Sequence, residues 1–134
     1  MSAVVVAENG QGRYQQAVTV GQHQLVADEP VSVGGADAGP APFDFVMAGL
    51  GACTSMTLRM YAERKGLPLT GISVTLNHEK TTVDGVSRDR ITRSITLDGE
   101  LSDEQRQRLL DIANKCPVHR ALSQSLLIES SLKN

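Results

Sequence analysis

The chain is predicted to fold as an α+β protein in which antiparallel strands pack around one long helix. The segment from Pro40 to Gly66 has the pattern of a single helix with an uncharged middle. Segments with strand-like alternation lie in pairs before and after it, instead of alternating with helices. Strands and helices that are segregated along a chain favour α+β over a parallel α/β sheet. Because 134 residues suffice for one core, a single domain over residues 1–134 is expected.

The composition excludes several classes of protein. The chain is 40% hydrophobic and 21% charged, which is ordinary for a globular protein. A net charge of −2 gives no basic surface for nucleic acid or an anionic membrane. No uncharged run reaches the length of a membrane span, and the first residues lack the basic region of a signal peptide. We therefore expect a cytoplasmic protein that binds neither nucleic acid nor membranes.

The N-terminal third is predicted to form short strands. Residues 3–7 read as one strand, and residues 14–20 and 23–28 read as a hairpin across Gly21-Gln22. Residues 33–40 are Gly-rich but have neither the spacing of a phosphate loop nor a dinucleotide fingerprint. This segment is predicted to be connecting structure that passes close to other backbone.

The long helix has clear start and stop signals. Prolines at 40 and 42 suit a first turn, Asp44 places a carboxylate where the helix dipole favours it, and Gly66 can end the helix. From residue 45 to 58 there is no charged side chain. A helix that is apolar on all sides is expected to be buried on all sides. A chain this short covers such a helix with difficulty, so we expect a homodimer in which two protomers share a core.

The second half is predicted to contain a hairpin around the Asp-Gly pair at 84–85. A two-residue turn there would place Leu76 opposite Arg93 and His78 opposite Ile91. His78 and Arg93 are polar residues on otherwise apolar faces, so this face either lines a pocket or is a sheet edge whose far end is wet.

The C-terminal part is predicted to hold two helices and a strand. Ser102 begins the first helix, with Gln105 completing a capping box. Pro117 interrupts the helical pattern and opens a second short helix over residues 118–124. Residues 126–129 are predicted to form the last strand.

Two cysteines carry the candidate chemistry, and from the residues alone they are either buried spectators or a redox-active pair. Cys53 lies too far from the helix start for the dipole to acidify it, and burial alone would make it inert. A nucleophilic Cys53 therefore needs a cation from elsewhere. The candidates are Arg13, Arg93, Arg120 and a protonated histidine.

Cys116 lies in the sequence Cys-Pro-Val-His-Arg, at a helix end before a proline break. A thiol there can move more easily than one in mid-helix, which suits a resolving cysteine. His119 and Arg120 either belong to the same site or begin a surface helix. A zinc site would need four ligands, and Cys53, Cys116, His78 and His119 offer the right types without close paired spacing. No metal and no cofactor are therefore predicted.

Three segments together resemble the OsmC/Ohr superfamily. They are the Gly-rich approach and cysteine region over residues 34–54, the end of the long helix at 60–66, and residues 112–119 around the second cysteine. The resemblance implies an intertwined homodimer with strands wrapped around a long central helix and two active sites at the dimer interface. It also implies a thiol-dependent peroxidase that reduces organic hydroperoxides and, less well, hydrogen peroxide.

The resemblance also implies roles for individual residues. Cys53 matches the peroxidatic cysteine and Cys116 the resolving one. Arg13, which follows an early glycine turn, is the counterpart of the activating arginine. Well-studied members bind this arginine through a Glu, whose position here is Phe43, so the neighbouring Asp44 is the candidate acid.

The expected reaction forms a Cys53 sulfenic acid that Cys116 converts to a disulfide. An external dithiol, a lipoylated protein in similar proteins, would then reduce that disulfide. Phe43 keeps an alternative open: an OsmC-like small-ligand-binding or stress-response protein without strong peroxidase activity. A zinc-bound or purely structural dimer is a third interpretation.

Overall fold

The computed structural model describes residues 3–133, in which antiparallel strands precede and follow one long helix along the chain. The elements in chain order are β1 (Val4–Glu8), β2 (Gln16–Val20), β3 (His23–Ala27), α1 (Pro42–Lys65), β4 (Gly71–Val83), β5 (Val86–Asp98), α2 (Asp103–Ala113) and α3 (Pro117–Leu122), with a 3₁₀ turn at Val31–Val33. Strands β1, β2 and β3 form one sheet in that order, and β4 and β5 form another. The prediction of an α+β fold is confirmed. Two compact units divide the chain, one ending at Val46 and one starting at Met47.

In the first unit the predicted hairpin is present, with Gln16–Val20 antiparallel to His23–Ala27 across a tight turn. A buried carboxylate holds the segment that follows. Asp28 is 3% exposed and accepts hydrogen bonds from the backbone N–H groups of Glu29, Ala36 and Ala38 at 2.8, 3.2 and 3.0 Å. The Ala38 bond in particular lowers the Asp28 pKa, against the opposing effect of burial.

The Gly-rich segment passes close to other backbone, as predicted. A Cβ atom at Gly35 would overlap the Glu29 carbonyl, and one at Gly39 would overlap the Val26 carbonyl. Only glycine fits at these two positions without a backbone shift.

Helix α1 begins and ends as the sequence predicts. The Asp44 carboxylate accepts a hydrogen bond from the Ala41 backbone N–H at 3.0 Å, at the first turn. At the other end Gly66 has a φ of 64°, and the Leu67 N–H donates to the Ala62 carbonyl at 2.9 Å. This left-handed glycine and its neighbouring bond close the helix.

The expectation that α1 is buried on all sides is wrong for the single chain. Its buried residues form one stripe at three- and four-residue spacing: Leu50, Thr54, Leu58, Tyr61 and Ala62. Met56 and Met60, on the other faces, are 60% and 63% exposed. The stripe is covered because Leu58 and Tyr61 pack in one cluster with buried residues of α2. Partly buried residues of β4 and β5 pack against the same cluster. The homodimer that would cover the remaining faces stays a prediction.

The β4–β5 hairpin has the predicted register. Leu76 lies opposite Arg93 and His78 opposite Ile91. Asp84 and Gly85 form the turn with φ angles of 52° and 78°, so both adopt the left-handed conformation of a two-residue hairpin turn.

The C-terminal region confirms the helices but not the strand. Ser102 and Gln105 form the predicted capping box of α2, and the second short helix ends at Leu122. Residues 126–129 are not a strand, and Leu127 is 91% exposed. Since the two sheets among the described residues contain only β1 to β5, no ladder partner is present to hold this apolar segment in strand conformation.

Candidate functional site

The second unit brings the two cysteines together. Cys53 lies in the middle of α1, and Cys116 lies in the bend between α2 and α3. Both are free thiols, and the Cys116 side chain lies close enough to Cys53 to lower the pKa of the Cys53 thiol. Two neighbouring thiols of this kind are candidates for a disulfide.

Cys116 is held in place as the N-terminal cap of α3. Its sulfur accepts a hydrogen bond from the His119 backbone N–H at 3.3 Å, which is the contact that a capping serine or aspartate would make. Pro117 occupies the first helical position, where its missing N–H costs nothing. The thiol is fully buried.

The environment of Cys53 favours its thiolate form. Burial raises the Cys53 pKa, but hydrogen bonds from the Val118 backbone N–H, from Cys116 and from Thr57 lower it, and so does the charge of Arg93. The net direction is a pKa below that of an ordinary cysteine. The Thr57 hydroxyl lies 4.0 Å from the Cys53 sulfur. Hydrogen-bond donors, with a smaller contribution from the Arg93 charge, thus account for the lowered pKa.

Arg93 connects the two cysteine-bearing segments. Its Nη1 donates to the Thr54 hydroxyl at 2.8 Å and to the Ala113 carbonyl at 3.2 Å, and its Nη2 donates to the Asn114 side-chain oxygen at 2.8 Å. Thr54, next to Cys53, is itself fully buried. Burial and the Arg93 charge also lower the pKa of His119. The His119 side chain is thus close enough to Arg93 to be influenced by its charge, and its part in the site stays a prediction.

Sequence reasoning named Arg93 as one of several cations but missed Thr54 and Asn114. The available signal for Thr54 was its spacing, four residues from both Leu50 and Leu58 on the buried stripe. A polar residue in such a stripe requires a buried partner. Nothing local marks Asn114, because its partner lies on a distant strand.

Arg13 and Asp44, the other two predicted catalytic residues, lie in the first unit. The Arg13 guanidinium stacks 5.0 Å from the centre of the Tyr14 ring, and Asp44 accepts the bond from Ala41. Ion pairs within residues 3–133 involve His78 with Asp89, Lys80 with Asp89, and Arg90 with Glu79, so Arg13 and Asp44 are not paired there. Their roles at the active site remain predictions.

The other sequence candidates lie away from the cysteines or form no cluster. The His78 Nε2 atom lies 2.8 Å from the carboxylate of Asp89, which is about half exposed. Arg93 instead donates hydrogen bonds to α1 and α2. Across the described part of the chain, no group of three or more His, Cys, Asp or Glu side chains is placed to hold a metal ion. None of the helices in residues 3–133 is long and apolar enough to cross a bilayer.

A shallow groove of about 370 Å³ lies on the exposed side of α1. It is lined by Ser55, Met56, Arg59, Met60, Glu63 and Ile72. Neither cysteine lines this groove, so it is separate from the thiol site.

Comparisons with known proteins agree with the fold. The model of the family described as OsmC-like protein matches residues 34–131. An OsmC-like protein from Mycoplasma pneumoniae superposes with a TM-score of 0.77 at 20% identity, over 92% of this chain and 87% of that one. A search of curated proteins by sequence found no match.

Two further solved structures are described as organic hydroperoxide resistance proteins. The one from Legionella pneumophila has a TM-score of 0.69 at 20% identity, over 91% of this chain and 88% of that one. OhrB of Bacillus subtilis has a TM-score of 0.64 at 20% identity, over 90% and 89%. At this identity the similarity shows the fold alone.

Proposed function

The chain belongs to the OsmC-like protein family, and from this premise we propose that it is a thiol-dependent peroxidase that reduces organic hydroperoxides. The observation that carries the proposal is the interaction of the Cys116 side chain with Cys53, in surroundings that lower the Cys53 pKa. A thiolate is the form that attacks peroxides, and a neighbouring thiol is what converts the oxidised product to a disulfide. The descriptions of the Legionella and Bacillus proteins as organic hydroperoxide resistance proteins support this substrate class.

The proposed reaction has three balanced steps. The Cys53 thiolate attacks the distal oxygen of the hydroperoxide, the O–O bond breaks, and the alkoxide leaves and takes up a proton to become the alcohol. The Cys116 thiol then attacks the sulfur of the Cys53 sulfenic acid, and water leaves as the disulfide forms. Finally an external dithiol reduces the disulfide by exchange and is itself oxidised to a disulfide.

Two arginines are proposed to assist, on different grounds. Arg93 lies among the residues around Cys53 and lowers its pKa through its charge. Arg13, with Asp44 as its acid, is assigned by the resemblance to the OsmC/Ohr superfamily. That resemblance also underlies the proposed homodimer, with the exposed Met56 and Met60 of α1 covered by the second protomer.

A turnover assay tests the function. Purified protein is mixed with cumene hydroperoxide and dihydrolipoamide, and the loss of peroxide is measured for the wild type and for the variants Cys53→Ser and Cys116→Ser. The wild type is expected to consume peroxide, Cys53→Ser to be inactive, and Cys116→Ser to lose turnover driven by the dithiol. A wild type no faster than Cys53→Ser would contradict the peroxidase and favour the ligand-binding alternative.

A further inference from the structure

The Arg93 side chain is the point at which three elements of the second unit meet. It arises from β5, and its two terminal nitrogens donate to Thr54 on α1, to Ala113 at the end of α2 and to Asn114 in the bend that leads to Cys116. A planar guanidinium can make these bonds together because its donors are fixed in a fork. A lysine at this position would keep the charge but could not hold both segments in the same geometry.

Each end of this connection is next to a cysteine. Thr54 directly follows Cys53 on the buried stripe, and its hydroxyl also donates to the Leu50 carbonyl at 2.7 Å, which fixes its rotamer. Ala113 is fully buried, and Asn114 lies two residues before Cys116. The bend that carries Cys116 is therefore tied to the Cys53 segment through one side chain.

We propose that Arg93 is a positioning residue of the thiol chemistry: it ties the Cys116 bend to the Cys53 segment and holds its positively charged guanidinium against Thr54, the residue next to Cys53. The proposal rests on the peroxidase function proposed above and deepens it. It assigns to Arg93 two separable effects, one on how readily Cys53 ionises and one on how readily Cys116 reaches it. Among the described residues of this unit, Cys116 and Arg93 are ionisable groups that lower the Cys53 pKa, and Arg93 also lowers that of His119.

Two measurements on the full chain separate the effects without using a peroxide. The first is the pH dependence of Cys53 alkylation by iodoacetamide, with the Cys53 peptide read separately by mass spectrometry. The second is the equilibrium between the dithiol and the Cys53–Cys116 disulfide in a glutathione redox buffer. In that exchange the two protein thiols are oxidised and one glutathione disulfide is reduced to two glutathione molecules, so the reaction is balanced.

Three variants give different expected patterns. Arg93→Met removes both the positive charge and the hydrogen bonds of the guanidinium. The midpoint pH of Cys53 alkylation is therefore expected to rise, and the equilibrium constant for disulfide formation to fall. Asn114→Ala keeps the charge and removes one bond to a charged donor, so the alkylation midpoint stays in place. The disulfide equilibrium falls by up to about tenfold, to the extent that this bond is stronger in the disulfide form. Arg93→Lys is expected to resemble Asn114→Ala.

Arg106→Met is the matched control. Arg106 also donates from both terminal nitrogens to backbone carbonyls, at Leu97 and Gly99, in the same unit. Arg106→Met is expected to lower the stability of the fold but to change neither the midpoint pH of Cys53 alkylation nor the disulfide equilibrium. Equal shifts in Arg106→Met and Arg93→Met would overturn the proposal, because they would reflect general loosening.

The exposed Asn114 gives a variant that is expected to fold even if Arg93→Met does not. The proposal would also be overturned if Asn114→Ala and Arg93→Lys both had the same disulfide equilibrium constant as the wild type. Because no hydroperoxide is used, these outcomes are distinct from a failure of the peroxidase assay.

Discussion

The substitution Thr54→Val tests the buried contact that supports the thiol site. The Thr54 side chain is 0% exposed, and its hydroxyl accepts from Arg93 and donates to Leu50. Valine has nearly the same shape, so the change removes the hydroxyl without opening a cavity. The lost bond to a charged donor is worth about 1.5–3 kcal/mol. The bond to the Leu50 carbonyl adds little because that carbonyl lies in the helix ladder. We therefore expect a loss of about 2 kcal/mol in the free energy of unfolding.

The assay is urea unfolding of the reduced protein, followed by far-UV circular dichroism at one fixed protein concentration. Thr75→Val on β4 is the control, because Thr75 is exposed and its substitution is expected to change stability by less than about 0.5 kcal/mol. A midpoint for Thr54→Val equal to that of the control would refute the reasoning. The buried hydroxyl would then contribute nothing to holding Arg93.

Three further predictions concern the core, a helix cap and pH. Leu109→Ala, at a fully buried position on α2, is expected to cost about 2–5 kcal/mol in urea unfolding, against a much smaller loss for the half-exposed Leu110→Ala. Ser102→Ala removes the capping box of α2 and is expected to cost about 1 kcal/mol; an unchanged midpoint would contradict the cap. The lowered pKa of Asp28 in the folded chain means that its ionisation stabilises the fold above the unfolded-state pKa, and that this contribution is lost as pH falls through the lowered folded value. The stability difference between wild type and Asp28→Asn should therefore shrink as pH falls from the unfolded-state pKa through the lowered folded value, and a constant difference would contradict this.

Features set by neighbouring residues could be predicted from the sequence. The capping box at Ser102 depends on residues three apart, and the register that places Leu76 opposite Arg93 follows from a two-residue turn. The end of α1 at Gly66 is equally local. The predicted strand over residues 126–129 failed because a strand also needs a pairing partner, which a local apolar pattern does not supply.

The two cysteines of the candidate site could be found from the sequence, but the residues that hold them in place could not. Both cysteines stand out in the sequence, and the need for an external cation follows from the position of Cys53 in mid-helix. Which cation lies near it depends on how β5 packs against α1 and α2. The fork from Arg93 to Thr54 and Asn114 joins residues far apart in the chain, so no local pattern could reveal it.

The most direct test of the central claim is a single-turnover reaction read by intact mass. The reduced chain is mixed with one equivalent of cumene hydroperoxide, quenched within seconds, and compared with Cys116→Ser treated in the presence of dimedone. The wild type is expected to lose the mass of two hydrogens as the Cys53–Cys116 disulfide forms, and Cys116→Ser is expected to carry one dimedone adduct on Cys53. A wild-type mass that stays at the reduced value, with no adduct in the variant, would contradict the account.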